Sequence, residues 1–318
     1  MSARLTVQEA ADFLRTLDGV LLLTHVRPDG DTIGCAAALC RALRALGKTA
    51  YLLENPEITE TYAPYAEGLW APEGFVPESV VSVDIAAPGL LPENAAPYRD
   101  RICLAIDHHG SQEFFAERTC LDAGAAACGE LVYEITKELT EVTPEMAMAL
   151  YVAISTDCGC FVYANTTART HRIAAELMER GIDVGPVNKA LFRTKSQVRL
   201  AMEARMVADM KLYDRGRVVV MSIPLSLRQE LHATEADIEE LSSLAALVQG
   251  TDCGITLREL TPEKVKISLR TGPRVNATEV CALLGGGGHA AAAGATLSGT
   301  LKEAKQAVLQ AIDMVVGE

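Results

Sequence analysis

Three short runs are apolar almost throughout: Val20-Leu21-Leu22-Leu23, Val80-Val81-Ser82-Val83 and Ile102-Cys103-Leu104-Ala105-Ile106. A run of four or five such residues is too short for a helix and shows no polar alternation, so it has no solvent face. It belongs in a parallel sheet that is covered on both sides. Each run also stops at the same kind of residue. The first reaches His25 after Thr24, the second ends in Asp84, and the third ends in Asp107-His108-His109. A helical stretch over 144–156 runs into a fourth, Asp157. Solvated loop ends would mix Asn, Gly, Ser and Lys. Apolar segments that keep stopping at metal-ligating residue types point to one crevice, and in open parallel sheets ligands bind at the carboxyl ends of the strands.

The intervening pattern completes an α/β reading. Residues 5–17 predict an amphipathic helix with Thr6 as N-cap and Glu9 three residues on. Pro28-Asp29-Gly30 is turn chemistry. An Ala-rich helix follows from Thr32 to about Leu46, so His25, Asp29 and Asp31 share one strand-to-helix loop. A strand at 49–53, an irregular Pro/Gly-rich stretch at 55–78 and a short strand at 118–121 come next. Helices follow at about 125–140, 144–156 and 166–181.

The composition shifts near residue 210. Strands are expected at 217–223, 254–260 and 264–270, with a helical stretch near 235–249. Lys264-Val-Lys-Ile-Ser-Leu-Arg270 alternates as a half-buried strand whose polar positions face outward. Gly285 to Gly288 precede His289 and an Ala run. That suggests backbone N–H groups presented to an anion at a helix N-terminus, or else a hinge or close packing. The expected domains are 1–187 and 210–318, joined by a helical linker over 188–209. The linker's Lys189, Arg193, Lys195, Arg199 and Arg205 read as a solvated face, or as an attractor of polyphosphate.

A length of 318 residues suits two domains. The net charge of −13 argues against life on long duplex nucleic acid, which demands a basic surface, but leaves room for a small phosphorylated ligand. No run reaches the ~20 apolar residues of a membrane span, and no secretory leader is evident. The nine scattered cysteines read as reduced thiols of a cytoplasmic protein.

His25, Asp29, Asp31, Asp84, His108 and Asp157 offer only oxygen and imidazole donors, a set that suits Mn²⁺ or a similar divalent ion over Cys-rich structural zinc. Six donors exceed one metal's needs. They suit two ions sharing a carboxylate, with phosphoester hydrolysis as the natural reaction. Cys158 and Cys160 flank Asp157, so a thiolate role competes, although the carboxylate set is complete without it.

The ordered motifs resemble the DHH phosphoesterase superfamily. They are His25-Val-Arg-Pro-Asp29-Gly-Asp31, Asp84, Asp107-His108-His109 and Thr156-Asp157-Cys-Gly159-Cys-Phe161. The Gly285–Gly294 segment is similar to the GGGH loop of the DHH-associated C-terminal domain. The Phe161-Val-Tyr163-Ala-Asn165-Thr-Thr167 run resembles the bacterial nano-RNase and pAp phosphatase branch. That branch hydrolyses short oligoribonucleotides, 3′-phosphoadenosine 5′-phosphate (pAp) and, in some members, cyclic di-AMP or its linear product pApA.

The resemblance implies a parallel-sheet catalytic domain and a smaller α/β domain with a mixed sheet. It implies one metal at His25, Asp29 and Asp84, and a second at Asp31, Asp84, His108 and Asp157. It makes Asp107 an orienting group and gives His109 the scissile phosphate. Arg270, Thr271, Gly287, Gly288 and His289 become the holders of the substrate's terminal phosphate and nucleotide, in a cleft faced by both domains. It also makes a homodimer an expectation. The chain departs from the family pattern at Cys35, Cys158 and Cys160, where small hydroxyl residues are usual, and at Val162, a frequently basic position. These departures touch substrate choice more than activity.

Three other readings compete. A long-strand 5′→3′ exonuclease of the RecJ type wants an extended basic channel with stacking aromatics, and this acidic chain is 5% aromatic. Inorganic pyrophosphatase relatives lack the GGGH loop. A non-catalytic cyclic dinucleotide sensor could shed ligands, yet every one is present.

Overall fold

The three apolar runs are the middle of one sheet. The structure, a computed structural model, describes residues 2–317 and divides into two compact units, residues 1–194 and 195–318. The first unit runs β1 (Ala3–Leu5), α1 (Val7–Thr16), β2 (Val20–Leu23), α2 (Gly30–Ala45), β3 (Ala50–Leu52), β4 (Ser79–Val83), β5 (Ile102–Asp107), β6 (Arg118–Leu121), α3 (Cys128–Leu139), α4 (Pro144–Asp157), α5 (Ala168–Met178) and α6 (Val184–Phe192). Its six strands are all parallel, in the order β1-β6-β5-β4-β2-β3. After β2 the chain goes to β3 on one side, then returns past β2 to β4 on the other. The crevice beyond the carboxyl ends of β2 and β4 is therefore a topological switch point.

Both faces of this sheet are buried, which explains the lack of alternation. Leu22, Val81, Val83, Leu104 and Ile106 pack under the helices. Leu21, Leu23, Val80, Ile102 and Ala105 face the other way, against Leu91, Ala95 and side chains of the Pro-rich segments. Thr6 caps α1 with Glu9 in the reciprocal box read from the sequence. The short β1 has no apolar pattern and was not expected; it gains its register by pairing with β6.

The second unit runs α7 (Gln197–Ala208), β7 (Lys211–Tyr213), β8 (Val218–Ile223), α8 (Leu225–Glu230), α9 (Glu235–Ile238), β9 (Cys253–Thr261), β10 (Lys264–Thr271), α10 (Ala277–Ala282), β11 (Gly287–His289), β12 (Ala292–Ser298) and α11 (Leu301–Val316). Its sheet is mixed, in the order β11-β12-β10-β9-β8-β7, and only β8 and β9 are parallel. The division between units falls inside the stretch read as a linker: α6 belongs to the first unit and α7 to the second. Lys195, just before α7, and Arg199 within it both meet Glu203, so this basic stretch is partly neutralised.

One expectation here holds only in part and another fails. The helix near 235–249 is a single α-turn followed by a 3-10 stretch, Glu239–Leu247. That stretch lies so close on β9 that a side chain at Gly254 would sit 2.4 Å from the Ala246 nitrogen. The Ala run after His289 is not a helix: Ala290 and Ala291 turn the chain between β11 and β12. Alanine's helix preference is a fraction of a kcal/mol per residue, and the ladder that β12 makes with β10 along its whole length outweighs it.

Candidate metal centre

Each acid and imidazole is delivered by the end of a regular element. His25 follows β2, and its Nδ1–H donates to the Val26 carbonyl at 2.8 Å, which leaves Nε2 as the ligating nitrogen. Asn55 pins the same corner by donating to the His25 carbonyl and the Thr24 hydroxyl. Asp29 is the N-cap of α2 and accepts from the Asp31 and Thr32 amides. Asp31, fully buried, reaches across to the start of α3 and accepts the Cys128 and Gly129 amides at 2.7 and 2.9 Å. The first turn of a helix is a favourable place for a carboxylate. Cys35, at the position usually held by a hydroxyl, donates its thiol to Asp31 at 3.2 Å.

Asp84 leaves β4 with φ of +58°, a left-handed conformation uncommon outside glycine, though Asp and Asn enter it more readily than most residues. That twist turns its carboxylate into the crevice. Oδ2 lies 3.7 Å from His25 Nε2, and Oδ1 lies 3.6 Å from His108 Nε2. His25 Nε2 is also 3.5 Å from Asp29. His108 Nε2 is also 3.3 Å from Asp157 and 3.9 Å from Asp31. The His108 ring is held from behind by the Ala125 carbonyl.

The residues therefore gather as His25, Asp29, Asp84 on one side and Asp31, His108, Asp157 on the other. In each trio the donor atoms lie within 4.8 Å of one another. Asp84, His108 and His109 form a third such group. The one shared carboxylate, Asp84, faces both sides.

Asp107 is buried and belongs to no such trio. Its Oδ1 accepts from the His108 and His109 amides and from His109 Nδ1, the last at 2.8 Å. Its Oδ2 accepts from Gln112 at 2.6 Å. It fixes the His109 tautomer with the proton on Nδ1, so Nε2 is the ring's remaining nitrogen. That bond also raises the pKa of His109.

Asp157 ends α4, and its carbonyl is held by Asn165. The next residues turn sharply: Gly159, Cys160 and Phe161 all have positive φ, and the Phe161 ring stacks on His171. Cys158 is buried, with its thiol pushed up to about 12 by burial, so it is not a thiolate. Gln112 and Asn55 escaped the sequence reading, which held Asn165 only within the run from Phe161 to Thr167. No spacing marks the first two, because each acts through a loop that only the fold brings near.

The cluster lacks positive charge. Burial, then Asp157 and Asp29, pushes Asp31 well above the carboxylate range. Burial, then Asp31, does the same to Asp84. Asp157 is raised to about 7 by burial and by Asp29. Asp84 Oδ1 is inaccessible to solvent and has no hydrogen-bond partner. An orphaned carboxylate oxygen amid crowded acids and imidazole nitrogens fits divalent cations, which would supply the missing partner.

The predicted substrate-binding residues lie in the second unit. Arg270, Gly287, Gly288 and His289 line one cavity of about 400 Å³. Thr271 does not line it; its hydroxyl and amide hold the Ala290 and Ala291 carbonyls of the hairpin turn. No helix N-terminus follows these glycines, and two of them, Gly286 and Gly288, serve close packing. A side chain at Gly286 would meet the Gly294 carbonyl at 2.1 Å, and one at Gly288 the Ala292 carbonyl at 2.6 Å.

Comparison with known proteins agrees with this geometry. The model of the DHH family N-terminal domain matches residues 19–154, and that of the DHHA1 domain matches residues 217–318. A Thermus thermophilus protein named as a bifunctional oligoribonuclease and PAP phosphatase is 34% identical over 95% of this chain and 92% of its own length. A cyclic-di-AMP phosphodiesterase of Geobacillus thermodenitrificans is 26% identical over 98% of this chain, which spans about half of that protein (49%). An exopolyphosphatase-related protein from Bacteroides fragilis shares the fold at a TM-score of 0.87 and 22% identity, with 98% of this chain and 96% of that one aligned.

Proposed function

The chain belongs to the DHH family of phosphoesterases and carries the DHHA1 domain, and from that premise we propose that it hydrolyses phosphoester bonds in short oligoribonucleotides and in pAp, with pApA and cyclic di-AMP as further candidates. The observation that carries the reading is the Asp84 carboxylate, whose two oxygens face His25 and His108 on opposite sides of one crevice. One divalent ion would be held by His25, Asp29 and Asp84, and another by Asp31, Asp84, His108 and Asp157, with Mn²⁺ suited to this oxygen and nitrogen set. When bound, such a pair activates water and offsets charge on the phosphate oxygens. The chain's own part is to position. Asp107 and Gln112 hold His109 with Nε2 available to hydrogen-bond the scissile phosphate. Arg270 and His289, which line the cavity of the second unit, would bind a terminal phosphate of a short nucleotide.

The acidic charge and the 5% aromatic content weigh against a long single-strand exonuclease. The complete ligand set weighs against a non-catalytic sensor of cyclic dinucleotides. Among the described residues no helix is long and apolar enough to cross a membrane. A cytoplasmic setting accords with nine free cysteines.

The test is release of phosphate and nucleotide with Mn²⁺ from pAp, pApA, cyclic di-AMP and RNA of about two to twenty nucleotides. Turnover should fall steeply with length; equal or faster turnover of long strands would establish the exonuclease instead. Asp157→Ala should lower turnover by roughly a hundredfold or more, beyond the usual loss from an outer-shell partner, whereas His289→Ala should chiefly raise KM. Wild-type turnover by an Asp157→Ala protein without bound metal would refute the site.

A further inference from the structure

The sheet of the second unit is covered unevenly. On one face Val265, Ile267 and Leu269 of β10 pack under α10 and α11. On the other, Met202 and Met206 of α7, Leu227 of α8 and the 3-10 stretch cover β8. Toward β10, β12 and β11 that second face opens as the cavity of about 400 Å³. The strand register sets its floor. His289, Ala292 and Arg270 lie in one row across three strands. Gly287, Gly294 and Ser268 form the next. In the row beyond, Lys266 lies directly opposite Arg258 of β9.

Like charges directly opposite each other on a sheet are unfavourable. Arg258 pairs with Glu235, but Glu235 is shared with Arg228, and among the described residues no acidic side chain lines the cavity. The small residues between the two ends leave the floor open. Arg270 lies four residue steps beyond Lys266 along one strand, about 13 Å. The cavity is thus elongated, with cationic groups at each end, and suits an extended polyanion better than a single phosphate.

We propose that the cavity is a subsite for a polyphosphorylated nucleotide end: Arg270 and His289 take the first phosphate, and Lys266 with Arg258 takes the phosphates beyond it. Short oligoribonucleotides carrying a 5′-di- or triphosphate are then substrates alongside monophosphorylated ones. This rests on the proposed hydrolysis of short nucleotides.

The experiment compares KM for pApA and for the same dinucleotide with a 5′-triphosphate, using the full chain with Mn²⁺. The wild type should bind the triphosphate at least as tightly as the monophosphate. Lys266→Ala should raise the triphosphate-to-monophosphate KM ratio about tenfold, the usual loss for one charge-assisted contact, and Lys266→Arg should restore it. Rejection of the triphosphate by the wild type, or an unchanged ratio in Lys266→Ala, overturns the proposal. Calorimetry with inorganic tripolyphosphate on metal-free protein reads the subsite without turnover. Lys266-dependent binding of tripolyphosphate by a protein that cleaves neither dinucleotide would leave the subsite standing and remove the substrate reading instead.

Discussion

Gly34→Ala tests whether helix packing sets the metal centre. Gly34 lies on α2 one turn after Asp31, against α4. A β-carbon there would sit 2.2 Å from the Ala149 carbonyl oxygen, 2.9 Å from the Ala153 β-carbon and 3.1 Å from the Ala153 nitrogen. The nearest obstacle is backbone, so no rotamer change relieves it, and α2 and α4 must part by roughly 1 Å. Overpacking of this kind costs about 1–3 kcal/mol. For a unit of this size each kcal/mol lowers Tm by about 2–4 °C. The same displacement parts Asp31 on α2 from Asp157 on α4, which meet at His108 Nε2 at 3.9 and 3.3 Å. Misplacement by ~1 Å can cost about a hundredfold in rate. Calorimetric melting, Mn²⁺ titration and turnover on pAp are the assays. A Tm within a degree of wild type would refute the close approach. A lowered Tm with unchanged Mn²⁺ affinity and turnover would refute the link between helix spacing and the site.

Three further outcomes are expected. Asp84→Asn keeps the left-handed backbone accessible and removes a crowded carboxylate, so the metal-free Tm should hold or rise. The gain of about 5–10 °C that saturating Mn²⁺ gives the wild type should vanish, and a retained gain would remove Asp84 from the ligands. Gln112→Ala strips the buried Asp107 of its 2.6 Å donor; turnover should fall about 10–100-fold with little change in KM, and unchanged turnover would deny Asp107 its orienting role. In chelator, Asp157, raised from 3.8 to about 7 by burial and by Asp29, holds a proton when folded that it lacks when unfolded. The stability tied to it is complete below about pH 4 and is lost as pH rises through about 7. Tm should fall over that window without metal and not with Mn²⁺; identical slopes would argue that the carboxylates are not crowded.

The apolar runs at 20–23, 80–83 and 102–106 determined a parallel sheet by themselves, because residues with no polar alternation must be covered on both faces. The residues that end them determined most of the donor set, since a strand delivers whatever follows it to the sheet's carboxyl edge. The boundaries of the short β1 were not legible, because its pairing with β6 and not its own composition makes it a strand. Nor was the strand at Ala292–Ser298, where a sheet ladder outweighs alanine's weak local preference. Gln112 and Asn55 carry no pattern at all; loops bring them to Asp107 and His25. Lys266 read as one outward position of a half-buried strand. Sequence fixes which side chains share that face, but only pairing with β9 and β12 puts Arg258 opposite Lys266 and glycine and alanine between the cations. Local sequence selects the elements and the chemistry at their ends, while distances between elements, and so the sharing of Asp84 and the shape of the basic cavity, arise from contacts between residues far apart in the chain.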